Sequence, residues 1–260
     1  MKRGILLVAF GAGNAYSSAT LRHVQALAAE RFHLPTRWAF TSDTMRERLA
    51  VARTKSDSVL KALRRMRYER YTHVAVQSLH IIPGHEYSGV LDDVRLAAAE
   101  GALRLTVGEP LLRDETDTDE VARALLRHLP PSRLPGESVV CMAHGTEHET
   151  DRLYQCWGDA VTRLDPAVHV ACMKGQRTLD SLLPDLKGRP GGRLWLLPLL
   201  SVVGRHTLED MAGDSPQSWK CRLEQAGFAC VTDLRGLADG RSFAELWLQR
   251  LDRAVAALDV

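Results

Sequence analysis

His144 and His206 are the side chains whose type and placement best suit them to chemistry. His144 ends the apolar run Val139-Val140-Cys141-Met142-Ala143 and precedes Gly145. A glycine there permits a tight turn into a following helix. His206 lies just past Leu199–Val203, inside Gly204-Arg205-His206-Thr207. Open α/β sheets bind ligands beyond the carboxyl ends of their strands. A neutral imidazole binds borderline divalent cations such as cobalt, nickel, iron or zinc. The two histidines therefore predict a metal or proton-transfer site in a cleft between two halves of the chain. A capping histidine and a surface-loop histidine are the plainer alternatives. Both ligation and proton acceptance need neutral imidazole, so activity should fall below pH about 6.5.

Weaker candidates surround this pair. Glu86, beside His85, is placed to accept a proton or sit near a metal, although a helix dipole also favours an acid at a helix start. Glu147 and His148 read as a polar first helical turn. His80, within an apolar run, reads as a satisfied core or interface histidine. Cys172, near Lys174, reads as a small buried residue.

The candidates recur at matched depths. Ile5-Leu6-Leu7-Val8-Ala9-Phe10-Gly11 and Val139-Val140-Cys141-Met142-Ala143-His144-Gly145 are two copies of one pattern, with Phe10 where the second copy has His144. The run Leu79–His85 likewise pairs with Leu200–His206. Strands are expected at 5–10, 37–41, 73–78 and 104–107, and again at 139–143, 169–173, 194–199 and 229–232. Their near-continuous apolar character suits parallel strands covered on both faces.

Helical spacing joins Leu21, Val24, Leu27 and Ala28, and again Val59, Leu60, Leu63 and Met66. Thr118 and Ser242 are expected to cap two further helices. Alternation of this kind predicts an α/β fold of two similar halves, each a parallel sheet flanked by helices. The segment Leu129–Glu137 has three prolines and a glycine and marks the expected join. The predicted domains are 1–130 and 137–260, the second carrying both histidines.

Composition removes several function classes. The net charge of +2 comes with no basic tail, so nucleic acid is not an expected partner. The densest basic run, Arg64-Arg65-Met66-Arg67, reads as a solvated helix face. Five cysteines without a C-x-x-C pair suit reduced thiols. Met1-Lys2-Arg3 before Ile5–Phe10 imitates an export leader, but its apolar core is shorter than the usual ~7–15 residues. No run approaches the ~20 residues of a membrane span. A cytoplasmic protein is expected, and a homo-oligomer is possible. Neither a phosphate-binding G-x-x-x-x-G-K-[ST] loop, a G-x-S-x-G elbow nor a full dinucleotide fingerprint is present, so no nucleotide cofactor is expected.

Distinctive strings extend through most of the chain: Ala9-Phe10-Gly11, Ala39-Phe40-Thr41-Ser42, Gln77–Ile82, Gly84 with Glu86-Tyr87, and Pro110-Leu111-Leu112. They continue with His144-Gly145, His206, Asp210–Gly213 and Ser218-Trp219-Lys220. In these residues the chain resembles the anaerobic cobaltochelatase family, single-subunit enzymes that insert Co²⁺ into sirohydrochlorin. The resemblance implies two flavodoxin-like halves and ATP-independent chelation in anaerobic cobalamin biosynthesis. Co²⁺ would be the substrate metal and a tetrapyrrole the partner. It further implies that His144 and His206 bind the metal and that His144 helps remove pyrrole protons; in the mechanism expected from the residues, His144 or Glu86 accepts a released proton. Phe10, His85, Lys174 and Arg205 are the expected substrate-binding positions, the two cations facing the macrocycle's carboxylates.

The sequence departs from the family at one place. Lys174 falls where the family has a glutamate as third metal ligand, and an ammonium has no lone pair to give. Cys172, Glu86 or a substrate atom would have to replace that ligand. A non-catalytic tetrapyrrole or metal carrier, or a chelatase for Fe²⁺ or Ni²⁺, is the alternative.

Overall fold

The computed structural model describes residues 1–51, 56–187 and 192–259. The chain forms two compact units, residues 1–113 with 244–260 and residues 114–243.

The first unit holds strands β1 (Arg3–Ala9), β2 (Thr36–Phe40), β3 (His73–Ser78) and β4 (Arg104–Gly108). They are parallel, in the order β2-β1-β3-β4. Its helices are α1 (Ala15–Phe32), α2 (Asp43–Val51), α3 (Val59–Tyr68) and α4 (His85–Ala99). Asn14 starts α1 by accepting from the Ser17 N–H at 2.8 Å. Such caps are worth about 1 kcal/mol. Val59, Ala62, Leu63 and Met66 form one buried stripe on α3 and pack against Leu6, Val8, Val74 and Val76 of the sheet. The outward arginines are ion-paired, Arg64 and Arg67 with Glu100 and Arg65 with Asp57. Residues 3–9 are thus an interior strand, with Ile5 to Ala9 buried. No helix among the described residues is long and apolar enough to cross a membrane.

The second unit repeats the plan. Helix α5 (Thr118–His128) leads into β5 (Ser138–Ala143), then α6 (Arg152–Leu164), β6 (Val168–Cys172) and α7 (Leu179–Lys187). Strand β7 (Arg193–Leu199), helix α8 (Trp219–Gln225) and β8 (Ala229–Thr232) complete it. The parallel order is β6-β5-β7-β8. Substituting β5, β6, β7 and β8 for β1, β2, β3 and β4 converts one order into the other, so the repeat in sequence is also a repeat in topology. This is the beginning of the flavodoxin-like 2-1-3-4-5 order.

Three sequence expectations need correction. The proline-rich segment is no unit boundary; it joins α5 to β5 inside the second unit. The reason is that α5 buries Val121, Ala122 and Leu125 and packs on α6, so it belongs with the second sheet. The final helix α9 (Arg241–Ala256) belongs from Ala244 onward to the first unit. There the Thr106 hydroxyl donates to the Ala254 carbonyl at 2.7 Å, and Arg31 pairs with Glu245 and Asp252. Finally, neither Thr118 nor Ser242 is a cap. Each lies inside its helix and donates its hydroxyl to a carbonyl, Glu115 at 2.6 Å and Ala124 at 3.1 Å.

Candidate metal centre

Both histidines stand at the carboxyl edge of the second sheet. Strand β5 delivers His144 with its side chain exposed, and Gly145 follows in the left-handed region at φ +69°. A Cβ on Gly145 would collide with the Lys174 carbonyl. Glycine therefore serves two needs here, the positive φ and the close approach of a second loop.

That second loop follows β6. The Met173 N–H donates to the Ala143 carbonyl at 2.9 Å, and the Lys174 N–H to the His144 carbonyl at 3.2 Å. The backbone at 174 thus runs beside His144, while the Lys174 side chain is exposed. Among the described residues it forms no ion pair.

His206 is positioned differently. After β7 the chain enters a π-helical turn, His206–Met211, whose Ala212 N–H reaches back five residues to the Thr207 carbonyl at 3.1 Å. Thr207 and Met211 are fully buried and pin the turn to the core, which leaves His206 at the surface. Such π-turns recur at functional sites. Arg205, just before the turn, is exposed and pairs with Glu209 at 2.7 Å.

The two imidazoles meet. Their ring centres are 5.2 Å apart, with planes inclined at 65°. His144 Nδ1 lies 2.9 Å from the Gly145 carbonyl oxygen. His206 Nδ1 lies 2.6 Å from Asp210 Oδ2. Carbonyl and carboxylate oxygens can only accept, so each Nδ1 carries the hydrogen. That tautomer leaves the lone pair on Nε2 of both rings, the atom a metal ion or a proton would take.

The other predicted residues divide between the units. Arg205 and Lys174 share the second unit with the imidazole pair. Phe10, His85 and Glu86 belong to the first. Phe10 tips β1 as His144 tips β5, and half of its surface is exposed. His85 and Glu86 are exposed on the first turn of α4, lining a groove with Phe40, Arg46 and Asp93. Their neighbour His80 is different in character. Its Nδ1 lies 2.5 Å from the Ser78 hydroxyl, its Nε2 is buried without a partner, and burial pushes its pKa down to about 4. His148 caps a short 3₁₀ turn, its Nδ1 accepting from the Thr150 N–H.

Cys172 is buried, and its thiol is pushed up to about 12 by that burial. A metal needs a thiolate, so Cys172 is a poor replacement for a missing ligand. Among the described residues no three His, Cys, Asp or Glu side chains gather as for a metal ion.

Two carboxylates escaped the sequence reading. Asp210 holds His206; it stood in one of the distinctive strings, Asp210–Gly213, and one helical turn after His206, but no role was read from either. Asp151 is buried and reaches across to two loops. Nothing in its local sequence marks it.

Two parallel α/β units, one with paired imidazoles at the carboxyl edge of its sheet offering Nε2, define a chelatase-like α/β protein. The fold comparison agrees. SirB from Bacillus subtilis, solved with Fe³⁺, superposes with a TM-score of 0.71 at 16% identity, covering 100% of this chain and 98% of that one. The chain belongs to the cobalt chelatase (CbiK) family, whose model matches residues 3–256. It is 53% identical to sirohydrochlorin cobaltochelatase CbiKC of Nitratidesulfovibrio vulgaris over 99% of this chain and 92% of that protein. It is 31% identical to the sirohydrochlorin cobaltochelatase of Salmonella typhimurium, covering 98% and 97%.

Proposed function

We propose that the protein inserts Co²⁺ into sirohydrochlorin without nucleotide, and that His144 and His206 hold the ion through Nε2 before transfer. Family membership supports the reaction. The 5.2 Å ring separation is the observation that carries the site assignment. A nitrogen–metal bond of about 2.1 Å puts each ring centre about 3.2 Å from the ion, and a tetrahedral angle then separates the centres by about 5.2 Å.

The donor set suits an ion in transit. Neutral imidazoles accept cobalt readily. Two of them, without a closed cage, leave coordination positions for pyrrole nitrogens. The reaction replaces two pyrrole protons by one Co²⁺, so two protons must depart. As the metal passes to the macrocycle, the freed Nε2 of His144 is the nearest base for one of them. The hydrogen bond that His206 Nδ1–H donates to Asp210 keeps His206 in the ligating tautomer. Lys174 and Arg205 supply positive charge at this sheet edge for the carboxylates of the substrate. With five free cysteines, the chain suits a reducing compartment, and we assign it to the cytoplasm.

The test is direct. Purified protein is mixed with sirohydrochlorin and Co²⁺ and the absorbance change is followed without ATP. Insertion well above the protein-free rate is expected. A rate equal to that control would reject the enzymatic reading in favour of a carrier. Glu86→Gln in the same assay asks whether the first unit supplies a proton acceptor as well.

A further inference from the structure

We infer that Asp151 is a positioning residue for the cobalt site, a clamp that fixes His144 by locking its loop to the loop of Lys174. The inference rests on the reading of His144 as a metal ligand.

Asp151 ends a 3₁₀ turn, Glu149–Asp151, immediately before α6. A carboxylate is electrostatically favoured at a helix start. This one does not cap its own helix. Its Oδ1 accepts from the Thr146 N–H at 3.1 Å, two residues past His144. Its Oδ2 accepts from the Gln176 N–H, also at 3.1 Å, two residues past Lys174. One side chain, 7% exposed, therefore joins the loop after β5 to the loop after β6.

The surrounding backbone is shaped to this bridge. Gly175 sits at φ +93°, and a Cβ there would collide with the Asp151 carboxylate. Gly145 does the same on the opposite side, against the Lys174 carbonyl. The Lys174 N–H to His144 carbonyl bond closes the cycle. The His144 ring is exposed, and its Nδ1 bonds only to the adjacent Gly145 carbonyl among the described residues. The loop must therefore be held by its backbone, and Thr146 is the point where a buried charge grips it. Charge-assisted bonds to backbone N–H groups are about twice as strong as neutral ones. An exposed ligand fixed through so few contacts depends on that grip for its distance from His206.

Asp151→Asn tests this with little change of shape. An amide retains one acceptor oxygen but turns an N–H₂ toward one of the two N–H donors, so one arm of the clamp opens. The expected result is a folded protein whose Co²⁺ affinity and insertion rate fall by roughly 10–100-fold. The visible absorption of protein-bound Co²⁺, recorded without tetrapyrrole, should also change. Gly175→Ala, which pushes on the clamp from the other side while keeping the charge, should shift the same spectrum and serves if Asp151→Asn does not fold. Asp159→Asn is the control. It breaks the Arg177–Asp159 pair, which joins the middle of α6 to the loop after β6, and should leave affinity, rate and spectrum unchanged.

His144→Ala is measured alongside. If His144→Ala binds Co²⁺ as the wild type does, the ligand reading fails and this inference with it. If His144→Ala is impaired while folded Asp151→Asn, or folded Gly175→Ala in its place, keeps wild-type affinity and spectrum, the clamp alone is refuted. Equal losses in Asp159→Asn and Asp151→Asn would also refute it, since any loosening of the contact between α6 and the loop after β6 would then suffice.

Discussion

The tips of β1 and β5 occupy the same place in two sheets of the same topology, yet one carries Phe10 and the other His144. Both strands are buried up to the tip and both end at a glycine. The next matched positions diverge as well. After β3, His85 opens a regular helix, α4. After β7, His206 opens a π-turn that faces its imidazole toward His144. The strand order is therefore a frame that tolerates either outcome. Chemistry enters at one side chain per strand tip and at the path of the backbone just beyond it.

The most severe way to break this difference is to erase it. His144→Phe copies the first unit's tip into the second. Loss of an outer-shell partner commonly costs about 10–100-fold, so loss of the ligand itself should lower cobalt insertion by more than about 100-fold. Adding Phe10→His should not restore activity, because the first unit has a regular helix after β3 and no counterpart of the π-turn that carries His206. A steady-state insertion assay on both variants checks this.

Asp210→Ala asks whether the π-turn matters for more than placement. It removes the acceptor that holds the hydrogen on His206 Nδ1. Co²⁺ affinity measured by titration should weaken by about 10–100-fold, with Asp210→Asn in between.

His80 sharpens the comparison from the first unit, where the second has Ser201. Its folded pKa of about 4 lies below the ordinary imidazole value of about 6.5. Between these values the unfolded chain binds the extra proton and the folded chain does not. Stability should therefore fall as pH drops from about 6.5 toward 4, by roughly 2–4 kcal/mol, and the slope should vanish below that. Denaturant melts across this range should show it, and His80→Ser should flatten it. An unchanged slope in that variant would assign the pH dependence elsewhere.

Lys174→Ala should have the smallest effect. An exposed cation contributes at most about 1 kcal/mol, so the KM for sirohydrochlorin should rise about two- to fivefold with kcat little changed. A fall in kcat instead would mean that the ammonium acts on the metal step.

Much of this was legible in the residues. The strands lay close to where the sequence placed them; the central ones, β1, β3, β5 and β7, are buried along nearly their whole length and leave a strong continuous apolar signal. That His144 and His206 come together was also legible, since the segments that follow adjacent parallel strands leave the sheet at one edge. The unit boundary was not. The proline-rich segment is a conspicuous break, but which sheet α5 joins depends on the packing of Val121 and Leu125 against α6, which is a long-range choice. Asp151 was hidden for the same reason. Its partners are backbone N–H groups at 146 and 176, and backbone donors carry no residue type to read. The π-turn was hidden because its register rests on buried Thr207 and Met211, not on a local pattern.

In the proposed function two Nε2 atoms share one cobalt ion. X-ray absorption at the cobalt edge, on protein loaded with one equivalent of Co²⁺ and no tetrapyrrole, measures this most directly. The account predicts two imidazole ligands at about 2.1 Å, falling to one in His144→Ala and in His206→Ala. A spectrum without imidazole scattering, or one that both variants leave intact, would contradict it.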